Sequence, residues 1–257
     1  MDKDKYQIPR KSDFICLTIL LDDLKSYRVA LDGSEQAKDG FITMLRNTRN
    51  VFVSLHNLRD SMNRIRLSDD DSFVAESRAL RKELDFIAHI RNKGVGHLDR
   101  DLLERAAQWM PQIFAKESQE QDEYIAFECY RAVLESAINS YLNEDGDQKI
   151  FDTEIDFLYP PNQKQFYDFL GRIIEAAIKW LSRAREIVKS EIQFHSVDMT
   201  QELGAIAGQT NFNLKEDSKF DYNQEKTKET LAAFPERLRE IGADEKVILF
   251  FEEQFLK

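Results

Sequence analysis

Arg91, Asn92 and His97 fall within the short stretch RNKGVGH. An arginine offers an anion paired, permanently charged donors. A histidine titrates near neutrality and can give or take a proton. Together they suit a phosphate at which a proton must move. From His89 to Leu98 the titratable groups are His89, Arg91, Lys93 and His97, with no carboxylate among them. Lys93 is a weaker candidate for contact with the same anion. The formal net charge is −11, so this cluster is a local basic island. It can hold one phosphate while the acidic envelope repels bulk polyanion. The competing reading is structural: Arg91 is ion-paired to a carboxylate on another helix, and His97 only occupies a turn.

A second arginine and histidine lie upstream in RNVFVSLH. Arg49 and His56 are seven apart, so on a helix they share one face. No glycine separates them. The flank of a packed helix is the favoured reading, and the pair is a weaker candidate for lining the same cleft from a neighbouring helix.

These groups need elements to position them. Helical periodicity recurs along almost the whole chain. Phe14, Leu17, Leu20 or Leu21 and Leu24 form one stripe, closed at Asp32-Gly33. Residues 37–65 predict a long helix with the seam Met44, Thr48, Val51, Leu55, Leu58, Met62 and Ile65. A third helix over 73–93 carries Leu80, Leu84 and Ile87, and the same stripe continues to Arg91. That places a guanidinium on the bundle side of the last turn. In an unbroken helix, positions six apart differ by roughly 240°, so Arg91 and His97 would not converge. Gly94, in the left-handed conformation after a helix end, and Gly96, at a second turn, would fold His97 back. Asp99 or Asp101 then caps a fourth helix ending before Pro111. His89 falls on the polar side and reads as a surface histidine. A fifth helix spans 122–142. KIFDTEIDFLYPP alternates weakly, as a short strand or an extended loop. A sixth helix, to about 191, carries Phe166, Leu170, Ile173, Ala177, Trp180, Ala184 and Val188. After His195 apolar positions thin out, and two short helices split at Ile241-Gly242 close the chain. The expected architecture is all-α: a bundle of about six main helices over 1–195 and a helical C-terminal extension over 196–257.

Composition agrees. The 257 residues include only 5 prolines and 9 glycines, which favours helix over sheet. Cys16 and Cys129 fall in apolar helical patterns and read as buried free thiols. Trp109 and Trp180 read as core. No Cys/His spacing suggests a metal site, and no phosphate-binding loop or dinucleotide fingerprint occurs, so no metal or cofactor is expected. The apolar run FICLTILL is far shorter than the ~20 residues a membrane span needs. The first ten residues do not resemble a signal peptide. A cytoplasmic protein without membrane contact is the expectation.

RNKGVGH resembles the signature of the HEPN superfamily: an arginine, a polar residue that is most often asparagine, a short spacer and a histidine, set where one bundle helix gives way to the next. The resemblance covers about residues 11–190. It implies a HEPN-like all-α bundle, with Arg91, Asn92 and His97 as the catalytic positions. Many members are metal-independent endoribonucleases of toxin–antitoxin, abortive-infection and phage-defence systems. They work as homodimers whose two motifs face one composite cleft. For this chain the resemblance implies single-stranded RNA as substrate, a second copy as partner, and an antitoxin or regulatory protein as a further one. It also leaves open a non-catalytic helical module that binds nucleotide, RNA or protein. The chemistry suits the residues. Attack by RNA's own 2′-hydroxyl needs a base, an acid for the leaving oxygen, and positive charge at the phosphorus. Asparagine can orient the phosphate or the histidine. Some members carry a tyrosine two residues after the histidine, used for nucleotidylation. Asp99 stands there instead, so that regulation is not expected.

Overall fold

A computed structural model describes residues 7–32, 38–67, 70–151, 153–207, 210, 212–214 and 224–255. The described residues are helical with no strand; one isolated β-bridge joins Leu142 and Gln148. The chain divides into two compact units, Met1–Ile192 and Gln193–Lys257.

The first unit holds α1 (Ile8–Asp32), α2 (Lys38–Arg64), α3 (Asp71–Ile90), α4 (Arg100–Trp109), α5 (Asp122–Asn139) and α6 (Pro160–Glu191). These are the six main helices the periodicity calls for. Gly33 and Ala37, used above to bound helices, lie outside the described residues. Within the unit, α1 packs along α2 and α6, α3 lies across α2 and α6, and α4 lies on α5. Every seam residue named on α2 is buried, as is every stripe residue named on α6. Burial of such stripes drives the assembly, at roughly 1.5–3 kcal/mol for each large apolar side chain. Thr48 fits the apolar seam because its hydroxyl donates to the Met44 carbonyl at 2.8 Å. The Phe73 ring stacks on Trp180, 5.6 Å between centroids, while the Trp180 indole N–H donates to the Ser77 hydroxyl.

The segment before α6 is a loop, not a strand. Its alternation is nonetheless real, because Phe151, Ile155 and Phe157 are buried. Its backbone polar groups pair with side chains instead of a neighbouring strand. Asn139 accepts from the Ile155 N–H (2.7 Å) and donates to its carbonyl (3.0 Å), and Glu135 accepts from the Phe157 N–H (2.8 Å). Pro160 and Pro161 then open α6 in its first turn, where a missing N–H costs nothing.

Three surface expectations change. Cys129 is exposed and Cys16 half-buried. Trp109 is 45% exposed, its indole N–H donating to Glu135 at 2.6 Å. In both cases a helix stripe is wider than the face its neighbours cover. The second unit contains α7 (Val197–Ala207), α8 (Gln224–Glu240) and α9 (Glu245–Phe255). Helix α7 lies in the stretch after His195 where apolar positions thin out and no helix is expected; the rest of that stretch falls largely outside the described residues. Phe234 of α8 packs on Phe251 of α9, centroids 4.7 Å apart, and Ile248 is buried. No helix among the described residues is long and apolar enough to cross a membrane.

Candidate functional site

Helix α3 does not stop at the glycines. It widens into a π-helical turn, Arg91–Val95, and the Gly96 N–H donates to the Arg91 carbonyl at 2.6 Å. That bond spans five residues, so residue 96 sits one turn above residue 91. Such wide turns recur at functional sites. Gly94 does not take the left-handed conformation expected of it, and Gly96, expected at a second turn, has φ −77° and ψ −31°. Both leave room for a neighbour. A Cβ on Gly94 would lie 3.0 Å from the Ala137 Cβ and 3.3 Å from Leu102 and Val133. A Cβ on Gly96 would lie 2.8 Å from the Arg91 Cζ and Nε. The guanidinium of Arg91 therefore folds back flat against Gly96, the residue before His97.

Asn92 accepts from Arg91 Nη1 at 3.1 Å and so orients the arginine. His97 is exposed and has no hydrogen-bond partner among the described residues. Lys93 is tied to Asp99 at 2.8 Å, a bond that raises the lysine pKa and lowers that of the carboxylate. Asp99 also caps α4 by accepting from the Leu102 N–H, which decides the choice between Asp99 and Asp101. His89 is half-buried, not a surface residue. Its Nε2 lies 2.8 Å from the Ser140 hydroxyl and its ring packs on Tyr141. Burial lowers its pKa, with help from Lys93.

Helix α2 brings the upstream pair to the same place. Arg49 Nη2 donates to the Val95 carbonyl at 3.4 Å. Two guanidinium groups thus bracket the Val95–Gly96 peptide. Neither has a carboxylate partner among the described residues, unlike the buried Arg131, which pairs with Glu128, Glu135 and Asp156. The ring of Tyr130 lies 5.4 Å from the guanidinium carbons of both Arg46 and Arg49. His56 Nε2 lies 3.5 Å from an Asp60 carboxylate oxygen. Burial lowers the His56 pKa; Asp60 opposes this, and the charges of Arg91 and Arg59 add to it.

Three buried side-chain nitrogens lack a hydrogen-bond partner among the described residues: Arg49 Nε, His56 Nδ1 and Arg91 Nε. Unsatisfied buried polar atoms are costly and uncommon. All three belong to this one cluster. The arrangement suits an anion, which would separate two like charges and accept from their donors. Arg46, Tyr130 and Asp60 were not legible as site residues in the sequence. The three-residue spacing of Arg46 and Arg49 puts both on one helix face, but only tertiary packing shows what that face meets. A wide cleft of about 1100 Å³ shares Arg46 with this cluster and is otherwise lined by Phe41, Tyr124 and Phe127 with Glu120, Asp122 and Glu123. None of the motif residues lines it, and its carboxylates disfavour a polyanion. Among the described residues no group of three or more His, Cys, Asp or Glu is placed to hold a metal ion. No protein-family model, curated protein or solved structure matches the chain.

Proposed function

We propose that this protein is a HEPN-type endoribonuclease that cleaves single-stranded RNA without a metal ion. The observation that carries the reading is the pair of unneutralised guanidiniums, Arg49 and Arg91, converging on one peptide in a chain of net charge −11. Arg91 holds the scissile phosphate and neutralises charge as the phosphorane forms. Asn92 keeps that guanidinium in place. His97, free at the rim, exchanges protons with the substrate. Single strands are favoured because their backbone can adopt in-line geometry for 2′-hydroxyl attack. A homodimer places two His97 side chains at one cleft, and a toxin or phage-defence role follows from the same resemblance.

A second reading rests on His97. No neighbour among the described residues orients it, whereas proton-transfer groups are held by their surroundings. In that reading the pocket binds a nucleotide, RNA or a protein partner and performs no chemistry. Incubating the purified protein with labelled RNA in EDTA separates the two. Cleavage by wild type, abolished in Arg91→Ala and His97→Ala variants that remain folded, supports the enzyme. Equal behaviour of wild type and His97→Ala sinks it. Growth arrest on expression, lost with Arg91→Ala, supports a toxin role.

A further inference from the structure

Arg46 is exposed, and the chemistry at Arg91 and His97 gives it no task. It stands one turn before Arg49 on α2. We propose that Arg46, Arg49 and Arg91 form a short single-strand track that holds three successive phosphates and is closed beyond Arg46 by carboxylates. That the strand is RNA rests on the endoribonuclease reading; the track itself rests on side-chain geometry.

Contacts set the order of the three. The Tyr130 ring of α5 lies 5.4 Å from the guanidinium carbon of Arg46 and 5.4 Å from that of Arg49. The two cations are therefore no more than twice that distance apart. Arg49 also reaches the π turn, donating to the Val95 carbonyl through Nη2 at 3.4 Å. The next residue is Gly96, where a Cβ would lie 2.8 Å from the Arg91 Cζ. Arg49 is thus the middle member, touching what holds each of the others. Arg49 Nε and Arg91 Nε are buried, but Arg49 Nη1 and Arg91 Nη2 are not, and neither makes a hydrogen bond among the described residues. Those two nitrogens and the exposed head of Arg46 are the donors a strand meets.

Like charges three apart on a helix repel. Even so, Arg46 and Arg49 share one aromatic ring, and neither has a carboxylate partner among the described residues. Arg28, Arg59 and Arg172 each lie within 2.9 Å of one. In a chain with 47 Asp and Glu, three neighbouring unpaired arginines need an explanation. A row of phosphates supplies it, because a single strand carries its charges in line along a basic groove. The row has an end. The cleft that Arg46 shares is lined by Glu120, Asp122 and Glu123, so a strand running past Arg46 meets repulsion. Arg46 then binds a phosphate away from the one held by Arg91.

The test uses the full chain and single-stranded 2′-deoxy oligonucleotides of two to ten residues without terminal phosphates. Affinities are read by fluorescence anisotropy in EDTA. For wild type, affinity rises with each added phosphodiester up to four nucleotides and then levels off. Arg46→Gln moves the levelling-off to three nucleotides, weakens the tetranucleotide about fivefold and reduces the slope of log affinity against log salt by about 0.7. Arg46→Lys, which keeps the charge, restores all three. Glu120→Gln with Glu123→Gln, both exposed, carries the rise past four nucleotides. A merely structural Arg46 would not move the length at which affinity levels off. Wild-type affinities and salt slope in Arg46→Gln overturn the track, as does a wild-type rise that continues undiminished to ten nucleotides, or no binding at any length. An unchanged profile in the Glu120 and Glu123 double variant overturns the closure. The endoribonuclease reading is judged apart, by His97-dependent cleavage of RNA in EDTA. Cleavage with an unchanged Arg46→Gln profile keeps that reading and removes the track; a four-nucleotide profile without cleavage keeps the track and removes that reading.

Discussion

At Gly96 a single absent methyl group determines where Arg91 can lie. The backbone there is ordinary right-handed helix, so alanine is conformationally tolerated. The added Cβ would instead strike the flexible guanidinium. We expect Gly96→Ala to change unfolding free energy by less than about 1 kcal/mol while lowering oligonucleotide affinity about tenfold, read by thermal melting and by fluorescence anisotropy. The histidines supply a second residue-scale prediction. Burial lowers the pKa of both His56 and His89 below the ordinary histidine value. A histidine with a depressed folded pKa binds fewer protons folded than unfolded. Its contribution to stability is full above about pH 6.5 and is lost as pH falls through the folded value. Melting temperature should therefore be flat from pH 8 to 7 and fall below about 6.5. His89→Gln should flatten part of that fall.

The α3 π turn couples site to scaffold. Gly94 brings it close to α5, with Ala137 and Val133 directly beneath. Here, unlike at Gly96, an added methyl meets a packed wall, and overpacking typically costs about 1–3 kcal/mol. Gly94→Ala should lower the denaturant midpoint without changing the slope. The same α5 carries the buried ion cluster of Arg131, 5% exposed, with Glu128 and Glu135. Arg131→Met leaves two buried carboxylates uncompensated, and a loss of about 3–5 kcal/mol is expected by chemical denaturation. The elements were largely legible from their apolar stripes: the α2 and α6 seams are buried at each position the 3.6-residue period indicates. The alternation before α6 was legible too, but not its form. A strand and a loop whose N–H groups bond to Asn139 and Glu135 have the same local pattern. The difference lies in which distant side chain accepts the bonds.

Charge acts on the scale of the whole molecule. With net charge −11 the surface as a whole opposes nucleic acid, and under the proposed function attraction would rest on Arg46, Arg49 and Arg91. Three neutralised phosphates give a slope of log affinity against log salt of about −2 for a single strand. A salt titration of oligonucleotide binding should return that shallow slope; a value beyond about −5 would mean a far broader interface. The core cluster of the first unit is built from residues up to Ile192 alone. The helical class, the six main helices and the candidacy of Arg91, Asn92 and His97 were present in the sequence, because periodicity and residue chemistry are local properties. Tertiary structure decided the rest. It turned the glycines from chain breakers into spacers, tied Lys93 to Asp99, and set Arg49 and His56 of α2 beside Arg91. The reason is physical: convergence of side chains from two helices depends on how those helices pack, and neither helix alone encodes the packing.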